Sequence, residues 1–203
     1  SQELLSMGEI GARSALFKGE QRSVGRLARH SSVNPKYGKL LFRIAKHYKP
    51  LQILELGTSI GLSTCYLALG HPEGKKNTIE GNDSLCRFAE RLFDREQIAN
   101  VNVRNGKFDT VLPMLLRKDQ PPDMVYIDGN HNYLPTINYF NRFIEAMPKG
   151  VIIIDDIRWS HSMMKAWKEI VADARSTATL ELYRMGIVFP DRSLTPGHYY
   201  IRF

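Results

Sequence analysis

The stretch Gln52-Ile-Leu-Glu-Leu-Gly-Thr-Ser-Ile-Gly-Leu-Ser63 decides how the chain is read. Ile53 to Leu56 is a short apolar run of the kind a buried parallel strand needs. Gly57 and Gly61 follow in a turn, and the residues after Gly61 can start a helix. A glycine-bearing turn between strand and helix brings bare backbone N–H groups up to a ligand at the positive end of the helix dipole. The spacing is G-x-x-x-G, and Ser59 stands where a dinucleotide fingerprint has its second glycine. Such a loop suits a nucleoside with a small anionic group, a carboxylate for example, better than a pyrophosphate. A tight strand-helix turn with no ligand has the same signature.

Outward from that stretch, the apolar positions Leu40, Leu41, Ile44, Ala45 and Tyr48 make Lys36 to Tyr48 an amphipathic helix, ended by Pro50. Residues 1 to 35 carry short apolar patches between glycines and predict two or three short helices, with Asn34-Pro35 as the break. Downstream, strands are expected at Asn77–Glu80, Val101–Val103, Met124–Ile127 and Val151–Ile154. Helices are expected between them, and a further helix over Ser162–Arg175. Leu180–Phe189 and His198–Phe203 read as two closing strands of an antiparallel hairpin across Pro190 to Gly197. Repeated strand-helix alternation with right-handed crossovers gives an α/β fold: an open, mostly parallel sheet with helices on both faces.

The 203 residues are 43% hydrophobic, enough for one sizeable core and one domain. Lys+Arg 28 against Asp+Glu 21 leaves +7, spread along the chain with no basic run. This favours a solvated surface over a nucleic-acid partner. Cys65 and Cys86 fall in different predicted helices and in no metal-type spacing, so reduced structural thiols in a cytoplasmic protein are expected. No apolar run reaches the ~18 residues of a membrane span, and no signal-peptide pattern opens the chain.

In such a sheet ligands bind at the carboxyl ends of the strands. Glu80 closes the second predicted strand, 80 − 57 = 23 residues after Gly57; a carboxylate there can accept from both hydroxyls of a ribose, or interact with the next helix dipole. Asp128, Asp155 and Asp156 close two consecutive predicted strands, the fourth and fifth, Met124–Ile127 and Val151–Ile154. On neighbouring strands they stand about 5 Å apart in the pairing direction, and carboxylates that close repel unless a cation or protons intervene. All-oxygen ligands select Mg²⁺, Mn²⁺ or Ca²⁺; alternatively Asp155 or Asp156 caps a helix while Asp128 holds a cofactor. His131 follows Asp128-Gly-Asn, and Gly129 permits a sharp turn. Its imidazole suits a general base for a hydroxyl, a metal ligand or a loop residue.

Together these residues resemble class I S-adenosylmethionine-dependent methyltransferases of the catechol O-methyltransferase-like group. The resemblance runs from Tyr37-Gly38-Lys39-Leu40-Leu41 and Tyr48-Lys49-Pro50 through Leu54-Glu55-Leu56-Gly57, Gly61-Leu62-Ser63, Thr78-Ile79-Glu80, Asn105-Gly106 and Tyr126-Ile127-Asp128 to Asp155-Asp156. It implies a Rossmann-like, doubly wound seven-stranded sheet of order 3-2-1-4-5-7-6 with the terminal hairpin. The methyltransferase domain would span residues 36–203, and residues 1–35 would be a helical cap over the acceptor side, with Arg13, Lys18 and Arg22 near substrate.

By the same resemblance, Glu55, Gly57, Thr58, Ser59 and Gly61 line the S-adenosylmethionine pocket. Ser63 holds the methionine carboxylate, Glu80 the ribose, and Gly106, Lys107 and Phe108 the adenine; Asp128 belongs to both cofactor and metal sets. Asp128, Asp155 and Asp156 bind the divalent ion, with Asp156 where the group has Asn. His131 stands where the catechol enzymes have a catalytic lysine, and D-x-x-H is similar to macrolide sugar O-methyltransferases. A small-molecule hydroxyl (phenol, sugar or natural-product alcohol) is the expected acceptor; the sequence leaves the oligomeric state open, a homodimer among the options. A macromolecular substrate such as RNA, or a non-catalytic binding protein, is the alternative. Trp159 and His161 are candidates for a pocket wall or for packing and surface.

Overall fold

The computed structural model describes residues 2–6, 21–30, 32–116 and 120–203. They divide into two compact units, residues 1–115 and 116–203.

The first unit opens with β1 (Leu4–Ser6) and β2 (Gln21–Ser23), paired antiparallel, and α1 (Val24–His30). Short helices alone were expected here, and α1 is the one helix among the described residues before 32. Leu5, Val24 and Leu27 are buried with Ile60 and Leu85, so this segment packs on the glycine turn. Arg22 lies in β2, while Arg13 and Lys18 lie outside the described residues.

α2 (Pro35–Tyr48) starts where the Asn34 side chain accepts from the Lys36 N–H at 2.9 Å. Pro35 fills the first helical position, where the missing N–H costs nothing. Lys49 ends the helix in the left-handed region (φ 47°), returning its N–H to the Ala45 carbonyl. Then come β3 (Gln52–Leu56), α3 (Leu62–Gly70), β4 (Lys75–Glu80), α4 (Asp83–Arg95), β5 (Val101–Asn105) and α5 (Phe108–Leu115). β4 pairs parallel with β3 on one side and β5 on the other. Asn82 caps α4 by accepting from the Leu85 N–H at 3.0 Å.

The second unit contains β6 (Met124–Ile127), α6 (Tyr133–Ala146), β7 (Val151–Ile154), α7 (His161–Ala172), β8 (Ala178–Leu182), β9 (Met185–Phe189) and β10 (Gly197–Tyr200). β6 and β7 pair parallel and are buried throughout, as near-continuous apolar strands require. β9 pairs antiparallel with β7 and with β8, and β10 pairs parallel with β8.

Both units are α/β, the class expected: the first pairs β3, β4 and β5 in parallel, and the second joins the parallel pairs β6–β7 and β10–β8 to a C-terminal antiparallel hairpin. The hairpin, however, is made by other residues. Leu180–Phe189 is not one strand: it folds back at Tyr183-Arg184, so β8 and β9 form the hairpin themselves. His198 belongs to β10, an additional strand on the far side of β8 from β9. Tyr183 takes φ 58°, a left-handed turn conformation that no glycine, asparagine or proline signals at this position.

Candidate functional site

In the first unit the glycine turn and the end of β4 meet. The Gly57 and Thr58 N–H groups donate to the Ile79 carbonyl at 3.0 and 3.2 Å. The Ser59 N–H donates to Glu80 Oε2 at 3.0 Å, and the Asn82 N–H to Glu80 Oε1 at 2.9 Å. Gly57, Ser59 and Gly61 all have positive φ, at 104°, 50° and 85°, which lets the turn close tightly over the strand end. Glu80 is buried. Burial raises its pKa, and the Asn82, Ser59 and Gly81 N–H groups pull it back. The Gly106 N–H donates to the Glu80 carbonyl at 2.9 Å, which brings the Gly106-Lys107-Phe108 segment beside it.

Glu55 lies beneath the turn and is 1% exposed. Its Oε2 accepts from the Thr64 and Thr78 hydroxyls at 2.5 and 2.6 Å, and Thr58 and Thr78 share a further hydroxyl bond at 2.7 Å. Glu55 Oε1 is buried with no hydrogen-bond partner. A buried carboxylate oxygen left unmet is costly, so this atom suits a cationic donor such as the ammonium of an amino-acid tail. Burial raises the Glu55 pKa; nearby hydroxyls of Ser63, Thr64 and Thr78 lower it, and Glu80 adds to the rise. Ser63 is buried in the first turn of α3, whose N-terminal residue Gly61 provides no side-chain cap. These residues fit the nucleoside with a small anionic tail inferred from the sequence.

In the second unit, register builds an acidic cluster. Ile127 pairs with Ile154, so Asp128 and Asp155 leave adjacent strands at the same level. The Tyr126 hydroxyl, fully buried, lies 2.7 Å from Asp155 Oδ2 and 3.3 Å from Asp128 Oδ2. Asp155 Oδ1 also accepts from the Asp156 N–H at 2.8 Å and from Arg184 Nε at 3.0 Å. Asp156, at φ 54°, turns its carboxylate to Arg184 Nε at 2.9 Å and His131 Nε2 at 3.9 Å. His131 Nε2 lies 3.6 Å from Asp128 Oδ1. The left-handed residue of that loop is Asn130, at φ 55°, rather than Gly129; asparagine tolerates this conformation.

Burial pushes the Asp156 pKa up to about 6, with Asp155 adding and Arg184 opposing. Burial lowers that of His131 while Asp155 raises it. The imidazole is therefore neutral at neutral pH and can take a proton. Among the described residues, Asp128, His131 and Asp156 offer ligand atoms within 4.8 Å of one another. Two carboxylates and an imidazole can hold a divalent ion. Asp155, expected as a ligand, lies outside that trio, both of its oxygens already accepting from protein donors. Trp159 is 52% exposed, with its ring 6.4 Å from that of His131; His161 is exposed at the start of α7.

Tyr126 entered the sequence reading only as part of the motif Tyr126-Ile127-Asp128, with no role of its own, and Arg184 did not enter it. A phenol two residues before Asp128 in an apolar strand was a usable signal for the first. The second depends on a hairpin register that the sequence hides.

A protein-family model described as a methyltransferase domain matches residues 54–157. The chain belongs to this methyltransferase family. Curated relatives include a catechol O-methyltransferase of Niastella koreensis, 33% identical over 62% of this chain and 57% of the relative. Another is a catechol O-methyltransferase of Mycobacterium tuberculosis, 30% identical over 62% of this chain and 56% of the relative. The matches thus span less than two thirds of these relatives' length. Among solved structures, an O-methyltransferase of Bacillus cereus in complex with SAH superposes with TM-score 0.67 at 25% identity. It covers 79% of this chain and 83% of that one. The resemblance to class I S-adenosylmethionine-dependent methyltransferases holds, and with it the Rossmann-like fold class.

Proposed function

We propose that this chain is an S-adenosylmethionine-dependent O-methyltransferase acting on the hydroxyl of a small molecule. The observation that carries this reading is His131, an imidazole kept neutral by burial, held 3.6 and 3.9 Å from two carboxylates. That is the setting of a general base for a hydroxyl proton. The names of the relatives and of the Bacillus cereus neighbour agree with it.

In this reading Glu80 and the Gly57–Gly61 turn hold the nucleoside. Glu55 Oε1 accepts from the amino group of the methionine moiety, and Ser63 and the start of α3 hold its carboxylate. Gly106, Lys107 and Phe108 border the adenine. When bound, the cofactor supplies a methyl group on a sulfonium sulfur. His131 Nε2 would take the proton of the acceptor hydroxyl. Asp128 and Asp156 stabilise the imidazolium that forms, and alignment of oxygen and methyl supplies much of the rate.

A divalent ion, where one binds, would be held by Asp128 and Asp156 with His131 or an acceptor oxygen, and would lower the hydroxyl pKa. Two free thiols, their pKa values pushed by burial up to about 11 and about 12, fit the reducing cytoplasm. Among the described residues no helix is long and apolar enough to cross a membrane.

The test is methyl transfer from labelled S-adenosylmethionine to a panel of phenols, sugars and natural-product alcohols, with Mg²⁺ and with chelator. Transfer to oxygen that disappears in His131→Ala supports the reading. Cofactor binding with no transfer to any hydroxyl refutes it in favour of a binding protein. Transfer to RNA alone refutes the small-molecule acceptor.

A further inference from the structure

The acidic cluster already contains a cation. Arg184 occupies the tip of the β8–β9 hairpin, where the pairing of Ile154 with Gly186 sets it level with Asp156. Its backbone is fixed: the carbonyl accepts from the Ile157 N–H at 3.0 Å, and its own N–H donates to the Leu182 carbonyl at 2.7 Å. From there Nε reaches Asp155 Oδ1 at 3.0 Å and Asp156 Oδ1 at 2.9 Å. One partner carboxylate is fully buried, and the guanidinium itself is only one-third exposed. A guanidinium remains charged at any working pH. Asp155 and Asp156 are two of the three carboxylates that the family resemblance assigns to a divalent ion.

We propose that Arg184 is the resident cation of this cluster: it neutralises Asp155 and Asp156 in place of a divalent ion, and such an ion binds there only by displacing it. The proposal rests on reading the cluster as the acceptor site, but concerns what balances its charge. Several features follow from it. Asp155 is held by Tyr126, Arg184 and the Asp156 N–H, so its geometry needs no metal. The ligand trio open to an ion is Asp128, His131 and Asp156, and its Asp156 is shared with Arg184. Two positive groups drawn to one carboxylate repel each other over a few ångströms, where screening is incomplete.

The test titrates Mn²⁺ alone into the protein by calorimetry, comparing wild type, Arg184→Gln and Arg184→Lys. Loss of the guanidinium is expected to tighten Mn²⁺ binding by about tenfold or more, while lysine, which keeps the charge, leaves it near wild type. Equal Mn²⁺ affinity in wild type and Arg184→Gln overturns the proposal, and so does weaker binding in the glutamine variant. A second measurement needs only the wild type, should the variants not fold. The ¹⁵N-resolved Arg184 Nε–H resonance should be protected from exchange, and should lose that protection as saturating Mg²⁺ is added. Saturation by Mg²⁺ with the resonance unmoved overturns the proposal. S-adenosylhomocysteine affinity, measured in parallel, tests the cofactor site alone. Its absence counts against the methyltransferase reading and leaves the Mn²⁺ comparison intact.

Discussion

Glu80→Gln should separate stability from cofactor affinity. In the native chain the carboxylate accepts from the Ser59 N–H at 3.0 Å and the Asn82 N–H at 2.9 Å. Glutamine keeps one acceptor oxygen and sets an NH₂ against the other N–H, losing one charge-assisted bond of about 1.5–3 kcal/mol. It also removes a buried charge, and the raised pKa of Glu80 shows that burial penalises that charge. These two changes oppose each other, so the unfolding free energy at pH 7 should stay within about 1–2 kcal/mol of wild type, a Tm change of a few degrees at this size. No such offset exists for the ligand. A ribose diol needs acceptors, and an inward NH₂ has none. The loss of about 2 kcal/mol corresponds to about thirtyfold weaker binding. Calorimetry with S-adenosylhomocysteine reads the affinity, and urea titration reads the stability. If Glu80→Gln binds within twofold of wild type while folding normally, Glu80 does not read the ribose.

Four further outcomes follow from the second unit. His131→Ala should lower turnover by about 10²–10⁴-fold and leave S-adenosylhomocysteine affinity unchanged. Because burial lowers the His131 pKa below 6.5, the acid limb of kcat/KM in wild type should lie below that pH, where the base becomes protonated; a limb centred above pH 7 contradicts the assignment. Asp156 holds its proton to about pH 6 when folded but only to 3.8 unfolded. The folded state thus binds more protons between those values, and this group costs stability as pH rises through them. Asp156→Asn should match wild type near pH 4 and exceed it by up to about 3 kcal/mol above pH 6; a gap independent of pH in urea titrations would show the carboxyl is not so shifted. Glu181 is buried and accepts from Arg158 Nε at 3.0 Å and Trp167 Nε1 at 2.7 Å. Glu181→Ala leaves the buried Trp167 N–H unmet, while half-exposed Arg158 turns to water, and should cost about 1–3 kcal/mol, with a shift in Trp167 emission; an unchanged unfolding midpoint would contradict it.

What the sequence disclosed and what it hid have one physical cause. The glycine turn and the strand-end aspartates were readable because each follows an apolar run, while Glu80, which follows Lys75-Lys76-Asn77-Thr78-Ile79, was readable from its spacing after Gly57. A parallel strand buried on both faces must be apolar along its length, and its first polar residue marks the edge. Asp128 after Met124–Ile127 and Asp155 after Val151–Ile154 obey that rule without reference to the rest of the chain. Their adjacency then follows from parallel pairing alone.

Arg184 obeys a different rule. Its position follows from a turn at Tyr183 and from the register of β9 against β7, and neither leaves a mark in Leu180–Phe189. Leu182-Tyr183-Arg184-Met185 contains no residue that favours a hairpin, and Tyr183 accepts φ 58° only because the flanking strands are already paired, Leu182 with Met185 and Ile154 with Gly186. The cost of a left-handed non-glycine residue, of order 1 kcal/mol, is met by the ladders on either side. The order of causation therefore runs from sheet to turn and from turn to cation. Weakening the ladder should release Arg184 from the cluster before it unfolds the hairpin, whereas Tyr183→Gly, which removes the strain and keeps the register, should leave Arg184 in place.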